Sequence, residues 1–339
     1  MKAAVMHAVR TPLILEEVAV PRIGPNEVLV ETRTSGICGT DLHIIEGRGY
    51  VPNLPHILGH EPAGVVAEVG ADVTDLHAGD RVVPHLFFTC DRCYFCQVGR
   101  HQQCIQLRGI LGVLCNGAFA EYFKVPATNL FRLPPQVPFD TGGLAADAVV
   151  TGLHAMKRGN ARVGSAALVY GAGGVGQILI QLLHASGVRV VALDQATEKL
   201  QLAKEMGAGL ALDRRHPGID GMIREFSGSD GVQCAFNCVG SSQSMKECAL
   251  YVSRGGRIVV IGEEPEFPNI DTTEIAQREL EIIGSRNGTR QDLAEALHLL
   301  AGGVVKPYVA ARFPLKDVNA AFEFMRSQAL GRVVIVVKD

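Results

Sequence analysis

Residues 165–194, SAALVYGAGGVGQILIQLLHASGVRVVALD, restrict the fold of this chain more than any other stretch. The apolar run AALVY stops at a glycine-rich turn. An amphipathic run, GVGQILIQLLHASG, follows, and a second apolar run, VRVVALD, closes the segment. Strands that are apolar on both faces belong inside a parallel sheet covered by helices, and two parallel neighbours need a crossover helix between them. The alternation continues. EKLQLAKEMGA reads as helix, then GVQCAFNCVG and GGRIVVIG as strands. The pattern predicts an α/β, doubly wound parallel-sheet domain over residues 151–289.

Within that segment, Gly171, Gly173 and Gly176 form G-x-G-x-x-G, with Gly174 and Val175 between them. The motif alone is weak. Here it follows an apolar strand, opens a helix and precedes Asp194 at the end of the next strand, as a dinucleotide site requires. The glycines let the backbone approach a pyrophosphate at the positive helix end. Asp194 accepts hydrogen bonds from ribose hydroxyls and repels a 2′-phosphate, which favours NAD over NADP. An ordinary tight turn between strand and helix is the alternative.

The first third of the chain reads differently. KAAVM, EVLVETRTSG, AGVVAEVG, DRVVPHLFF and AFAEYFKVP are short β-like runs broken by Gly and Pro, which predicts a mostly-β domain over residues 1–150. QDLAEALHLL reads as helix and GRVVIVVKD as strand, and residues 290–339 are expected to return to that first domain. A net charge of −3 gives no footprint for nucleic acid or an anionic membrane. No window approaches a membrane span, and the N-terminus reads as no signal peptide, so the expected compartment is the cytoplasm.

Nine cysteines in a chain without an export signal point to metal or redox roles rather than disulfides. CDRCYFCQVGRHQQC spaces Cys90, Cys93, Cys96 and Cys104 so that one loop, about residues 88–106, can close a tetrahedral zinc site with no open position. An iron–sulfur cluster is the other use of such spacing. Cys115, Cys234, Cys238 and Cys248 read as packing residues.

GICGTDLH and LGHEPAG carry further candidate ligands, and GLAADAVVTG places Asp147 in an otherwise small, apolar run. A carboxylate there is costly to bury without a partner. Taken with the four-cysteine loop, GAGGVG and the terminal GRVV, in this order along essentially the whole chain, these motifs resemble the zinc-dependent alcohol dehydrogenases of the medium-chain dehydrogenase/reductase superfamily. The resemblance implies a GroES-like catalytic domain beside a Rossmann NAD-binding domain, two zinc ions per chain and NAD. It implies a catalytic zinc on Cys38, His60 and Asp147, although many members have a second cysteine where Asp147 stands. A helix N-cap or a solvated acid is the alternative for that residue. By the same resemblance Glu61 lies beside the metal and Asp41 orients His60. Thr40 bonds the substrate oxygen, and His43 ends a proton relay through the nicotinamide ribose. Lys199 reaches the adenosine ribose and Arg332 the pyrophosphate, with solvated surface charges as the alternative for both. His85 and Tyr50 are expected near the substrate.

The implied activity is reversible hydride transfer between an alcohol and NAD, in a homodimer or homotetramer; a secondary or polar alcohol is favoured, with a primary alcohol, a polyol and a hydroxy-acid derivative as the alternatives. A zinc-free enoyl or quinone reductase of the superfamily, and a nucleotide-binding module without activity, are the competing readings. The four-cysteine loop and the ligand set argue against both.

Overall fold

In the computed structural model, which describes all residues except Pro265, Asn269, Ala329 and Asp339, the run AALVY is the strand Ala166–Tyr170, buried along its whole length. Its side chains alternate between two cores. Ala166, Leu168 and Tyr170 pack in one, and Ala167 and Val169 in the other. That is why the run is continuously apolar: both faces of the strand are covered. Arg189–Asp194 lies parallel on one side and Val232–Asn237 on the other. The full sheet runs Leu210–Asp213, Arg189–Asp194, Ala166–Tyr170, Val232–Asn237, Val252–Val260, Glu281–Gly284, all parallel. Strand order reverses on either side of Ala166–Tyr170. Sheets of this kind bind ligands outside the strands' carboxyl ends at that reversal.

Contacts divide the chain into two units. One holds Met1–Val150, Gly288–Gly303 and Pro307–Asp339, and the other Thr151–Asn287 with Val304–Lys306. The return to the first unit thus begins at Gly288, two residues before the sequence-based boundary at 290, and a short piece at 304–306 goes back to the second. The chain passes from the first unit to the second within the helix Ala148–Gly159.

The first unit is built around the strand Glu27–Ile37, which is buried on both faces over most of its length. It pairs antiparallel with Glu61–Val69, Tyr122–Pro126 and Arg332–Val336. Leu130–Arg132 and Arg81–Pro84 extend the sheet at one edge, and Val309–Pro314 closes the other, parallel to Arg332–Val336. Of the tail GRVVIVVKD, Arg332–Val336 is strand, and Asp339 lies outside the described residues. Among the described residues no helix is long and apolar enough to cross a membrane.

The three glycines of the turn differ in what the backbone asks of them. Gly171 has φ +96°, a conformation that side chains strain. A Cβ on Gly176 would lie 1.9 Å from the Gly171 carbonyl oxygen, so the helix Gly174–Ala185 can approach the strand only without one. A Cβ on Gly173 would meet nothing within 4 Å. The expected outcome is that Gly176→Ala destabilises the fold by about 1–3 kcal/mol, because the clash is with rigid backbone. Gly173→Ala should stay close to the parent. Urea unfolding of both variants checks this, and equal midpoints would contradict it.

Candidate active site

The strand Glu27–Ile37 ends and the helix Gly39–Ile45 begins around a single residue, Cys38, in extended conformation at the helix N-cap. The backbone N–H of Cys38 donates to Asp41 Oδ2 at 2.9 Å. The other oxygen of Asp41 lies 3.1 Å from His60 Nδ1. One fully buried carboxylate therefore starts the helix and fixes the imidazole, with Nε2 turned to the opposite side. Thr40 Oγ1 is 3.8 Å from Cys38 Sγ, and His43 follows three residues later on the same helix, hence on the same face.

Asp147 follows a short 3₁₀ turn, Leu144–Ala146, immediately before the helix Ala148–Gly159. Its Oδ2 lies 3.3 Å from Cys38 Sγ and 3.7 Å from His60 Nε2. It is not a solvated acid. The sulfur, nitrogen and oxygen of the three residues all lie within 4.8 Å of one another. Burial and then Asp147 push the Cys38 thiol up. Burial opposes a charged His60 ring, but Asp41 and Asp147 outweigh it and hold its pKa well above 6.5. A thiol, an imidazole and a carboxylate converging in this way suit zinc.

Glu61 lies next to this group and is itself fully buried. It faces Gly36 across the sheet, and a Cβ on Gly36 would come 2.1 Å from its Oε2. Gly36 faces Val334 on its other side. The missing side chain lets the Glu61 carboxylate pass over Gly36 to an ion pair with Arg332, while Oε1 accepts from the Ala148 N–H at 3.2 Å. Burial raises the Glu61 pKa to about 7, with Asp147 adding to the rise and Arg332 and His60 opposing it. Arg332 is 5% exposed, so it is no surface charge, and the partner the structure gives it is Glu61.

The four-cysteine loop is closed at its base by the two-residue strands Phe87–Phe88 and Gly109–Ile110. The sulfurs of Cys90, Cys93, Cys96 and Cys104 are separated by 3.5 to 4.0 Å along the four measured edges. A tetrahedron with zinc–sulfur bonds of about 2.3 Å has edges of about 3.8 Å. Backbone N–H groups of Cys90 and Cys93 point at Cys104 Sγ and Cys90 Sγ, both at 3.4 Å, which stabilises thiolates. The loop exposes Tyr94 and Ile105 and lacks a core of its own. It is tied to the rest of its unit by Asp91, which has φ +55° and pairs with Arg290 at 3.1 Å.

In the second unit, Asp194 ends its strand with both oxygens engaged. Oδ2 accepts from Ala172 N at 2.9 Å, and Oδ1 from Gln195 N at 2.8 Å and Ala196 N at 3.1 Å. It thus braces the glycine-rich turn. Lys199 lies on the next helix, Thr197–Glu205.

Residues 24–135 match the alcohol dehydrogenase GroES-like domain family, and residues 174–302 match the zinc-binding dehydrogenase family. An alcohol dehydrogenase from Geobacillus stearothermophilus is 38% identical over 340 residues, covering 99% of this chain and 100% of that protein. The chain belongs to the zinc-type medium-chain dehydrogenase/reductase superfamily. An L-threonine 3-dehydrogenase from Streptomyces avermitilis is 34% identical over 99% of both chains. The crystal structure of an alcohol dehydrogenase from Aeropyrum pernix superposes with a TM-score of 0.93 at 31% identity, covering 99% of this chain and 100% of that one. This member of the superfamily is an oxidoreductase of the zinc type, and both of its cysteine-containing clusters have the composition to hold a metal ion.

Several features were not read from the sequence. Gly36 is an isolated glycine in a strand, which signals close approach of another group and could have been recognised. The Glu61–Arg332 pair, the Asp91–Arg290 tie and the bracing role of Asp194 carry no local signal. His85 is 1% exposed and its Nε2 lies 3.1 Å from the Gly288 carbonyl oxygen, with burial lowering its pKa to about 4. Its ring is held inside the first unit by that bond. Cys234 and Cys248 are buried, whereas Cys115 and Cys238 are partly exposed.

Two outcomes are expected. Asp41→Asn should weaken metal binding about 10- to 100-fold, read by competition with a chromophoric chelator. Arg332→Met should cost about 3–5 kcal/mol by leaving Glu61 buried without its counter-charge. Adding Glu61→Gln should recover much of that loss in denaturant unfolding, and a further loss in the double variant would contradict the pairing.

Proposed function

We propose that this chain is a zinc- and NAD-dependent alcohol dehydrogenase acting on small secondary or polar alcohols and the matching carbonyl compounds. The observation that carries the reading is the convergence of Cys38, His60 and Asp147 with the Thr40 hydroxyl beside them. The likeness to an L-threonine 3-dehydrogenase supports a secondary, polar alcohol, since threonine carries its hydroxyl on a secondary carbon.

Cys38, His60 and Asp147 hold the catalytic metal, and Cys90, Cys93, Cys96 and Cys104 a structural one. Zinc at the first site supplies Lewis acidity toward a substrate oxygen. Asp41 keeps His60 aligned, and Glu61, held by Arg332 and the Ala148 N–H, sets the charge beside the ligands. Thr40 accepts the substrate hydroxyl proton in a hydrogen bond, and His43, on the same helix face, leads it to solvent. The turn at Gly171–Gly176 receives the pyrophosphate, and Asp194 the adenosine ribose. The nicotinamide supplies the hydride acceptor.

The test is elemental analysis with activity. The parent should hold two zinc ions per chain and oxidise alcohols with NAD. Asp147→Ala should hold one, keep its fold by circular dichroism and lose activity by at least about a hundredfold, the scale of losing a group that acts only in the transition state. A parent with one zinc, or an active Asp147→Ala variant lacking that metal, would overturn the assignment.

A further inference from the structure

The carboxyl ends of the strands Arg189–Asp194 and Leu210–Asp213 bring two acids side by side. Asp194 and Asp213 are direct register partners on adjacent parallel strands. Two arginines follow immediately, Arg214 and Arg215. A cofactor with a 2′-phosphate needs a cation at this place, and an arginine fork is the best suited one. The sequence therefore carries, beside the acid that disfavours a 2′-phosphate, two groups that would welcome it.

Both guanidinium groups are occupied. Arg214 donates from Nη1 to Glu247 at 3.0 Å, while Glu247 also accepts from the Tyr170 hydroxyl at 2.7 Å. Arg215 is held as a fork on Asp213. Its Nε lies 2.9 Å from Oδ1 and 3.2 Å from Oδ2, and its Nη2 lies 2.6 Å from Oδ2. The backbone N–H of Arg215 adds a bond to Oδ1 at 2.9 Å. The same Nη2 reaches the carbonyl oxygen of Gln195, the residue directly after Asp194, at 3.1 Å. The fork is thus beside the ribose position and turned onto a carboxylate. Its Nε–Nη2 edge, one of the two that could clasp a phosphate, is filled.

We infer that Asp213 is a specificity-determining residue: it locks Arg215 in a fork away from the adenosine 2′-position and so keeps the site selective for a cofactor without a 2′-phosphate. The inference deepens the proposed NAD preference and rests on Asp194 facing the adenosine ribose. Asp213 touches no cofactor in this role. It acts by holding Arg215, and only a released Arg215 would reach the phosphate. An isolated exposed ion pair contributes little to stability, so the pair's use lies in where it keeps the guanidinium.

The experiment measures binding directly, by calorimetric titration of the purified holoenzyme with adenosine 2′,5′-bisphosphate and with adenosine 5′-monophosphate. The ratio of NADP to NAD kcat/KM is read alongside. The variants are Asp213→Ala, Asp213→Ala/Arg215→Ala and Asp194→Ala. Asp213→Ala should shift the binding ratio toward the bisphosphate by about tenfold or more, the scale of one charge-assisted hydrogen bond. The double variant should lose that gain, because it lacks the released fork. A gain that persists in the double variant means that removing a negative charge, and not freeing Arg215, did the work, and overturns the inference. If Asp194→Ala moves the ratio but Asp213→Ala does not, the lock is wrong and the ribose reading stands. If neither moves it, both fall together.

Discussion

Everything near the candidate metal centre depends on how a group of buried charges is compensated. The carboxylates of Asp41, Glu61 and Asp147 and the thiol of Cys38 gather around the His60 imidazole and the Arg332 guanidinium. Burying charges of one sign together is unfavourable unless a counter-charge sits among them. Arg332 answers one carboxylate, and the His60 imidazole stands between two others. The Cys38 sulfur, a His60 ring nitrogen and an Asp147 oxygen face a common point. Burial first, and the Asp147 carboxylate after it, push the Cys38 thiol and the Glu61 carboxyl upward, and a divalent cation is the natural complement of such a group.

The sheet of the first unit makes this arrangement possible. The strand Glu27–Ile37 carries Glu61's strand on one side and Arg332's on the other, with Gly36 as the gap through which the two side chains meet. Residues separated by most of the chain length become partners because the C-terminal segment returns to the sheet. The helix Ala148–Gly159 is anchored at the same point, since its first N–H bonds to Glu61 and the residue before it is Asp147. The passage from the first unit to the second thus starts at the candidate metal ligands.

The parallel sheet was legible in the sequence because a strand buried on both faces has to be apolar throughout, and AALVY and VRVVALD are. The glycine-rich turn was legible because two of its glycines answer backbone demands, Gly171 through its positive φ and Gly176 through close approach. The four-cysteine loop could be read from spacing alone, since its ligands lie within one short segment. Cys38, His60 and Asp147 could not, because each is an ordinary residue until the fold brings the three together, and only the resemblance to a family suggested the set. The partner of Arg332 was hidden for the same reason. Its pairing with Glu61 depends on strand register and on the absence of a side chain at Gly36. Asp194 was read for its chemistry toward a ribose, but its three backbone bonds belong to the turn itself.

Asp41 has a consequence for assembly. Its carboxylate holds the Cys38 N–H and the His60 ring through bonds that do not involve a metal. The helix Gly39–Ile45 can start, and the imidazole can take its orientation, in the folded apoprotein. Two of the three ligands are therefore preorganised, and an arriving ion finds a receptor instead of having to build one. A metal ion taken up at this centre would then need little rearrangement of the protein around it. The four-cysteine loop exposes Tyr94 and Ile105, and an ion held there would itself add to its folding.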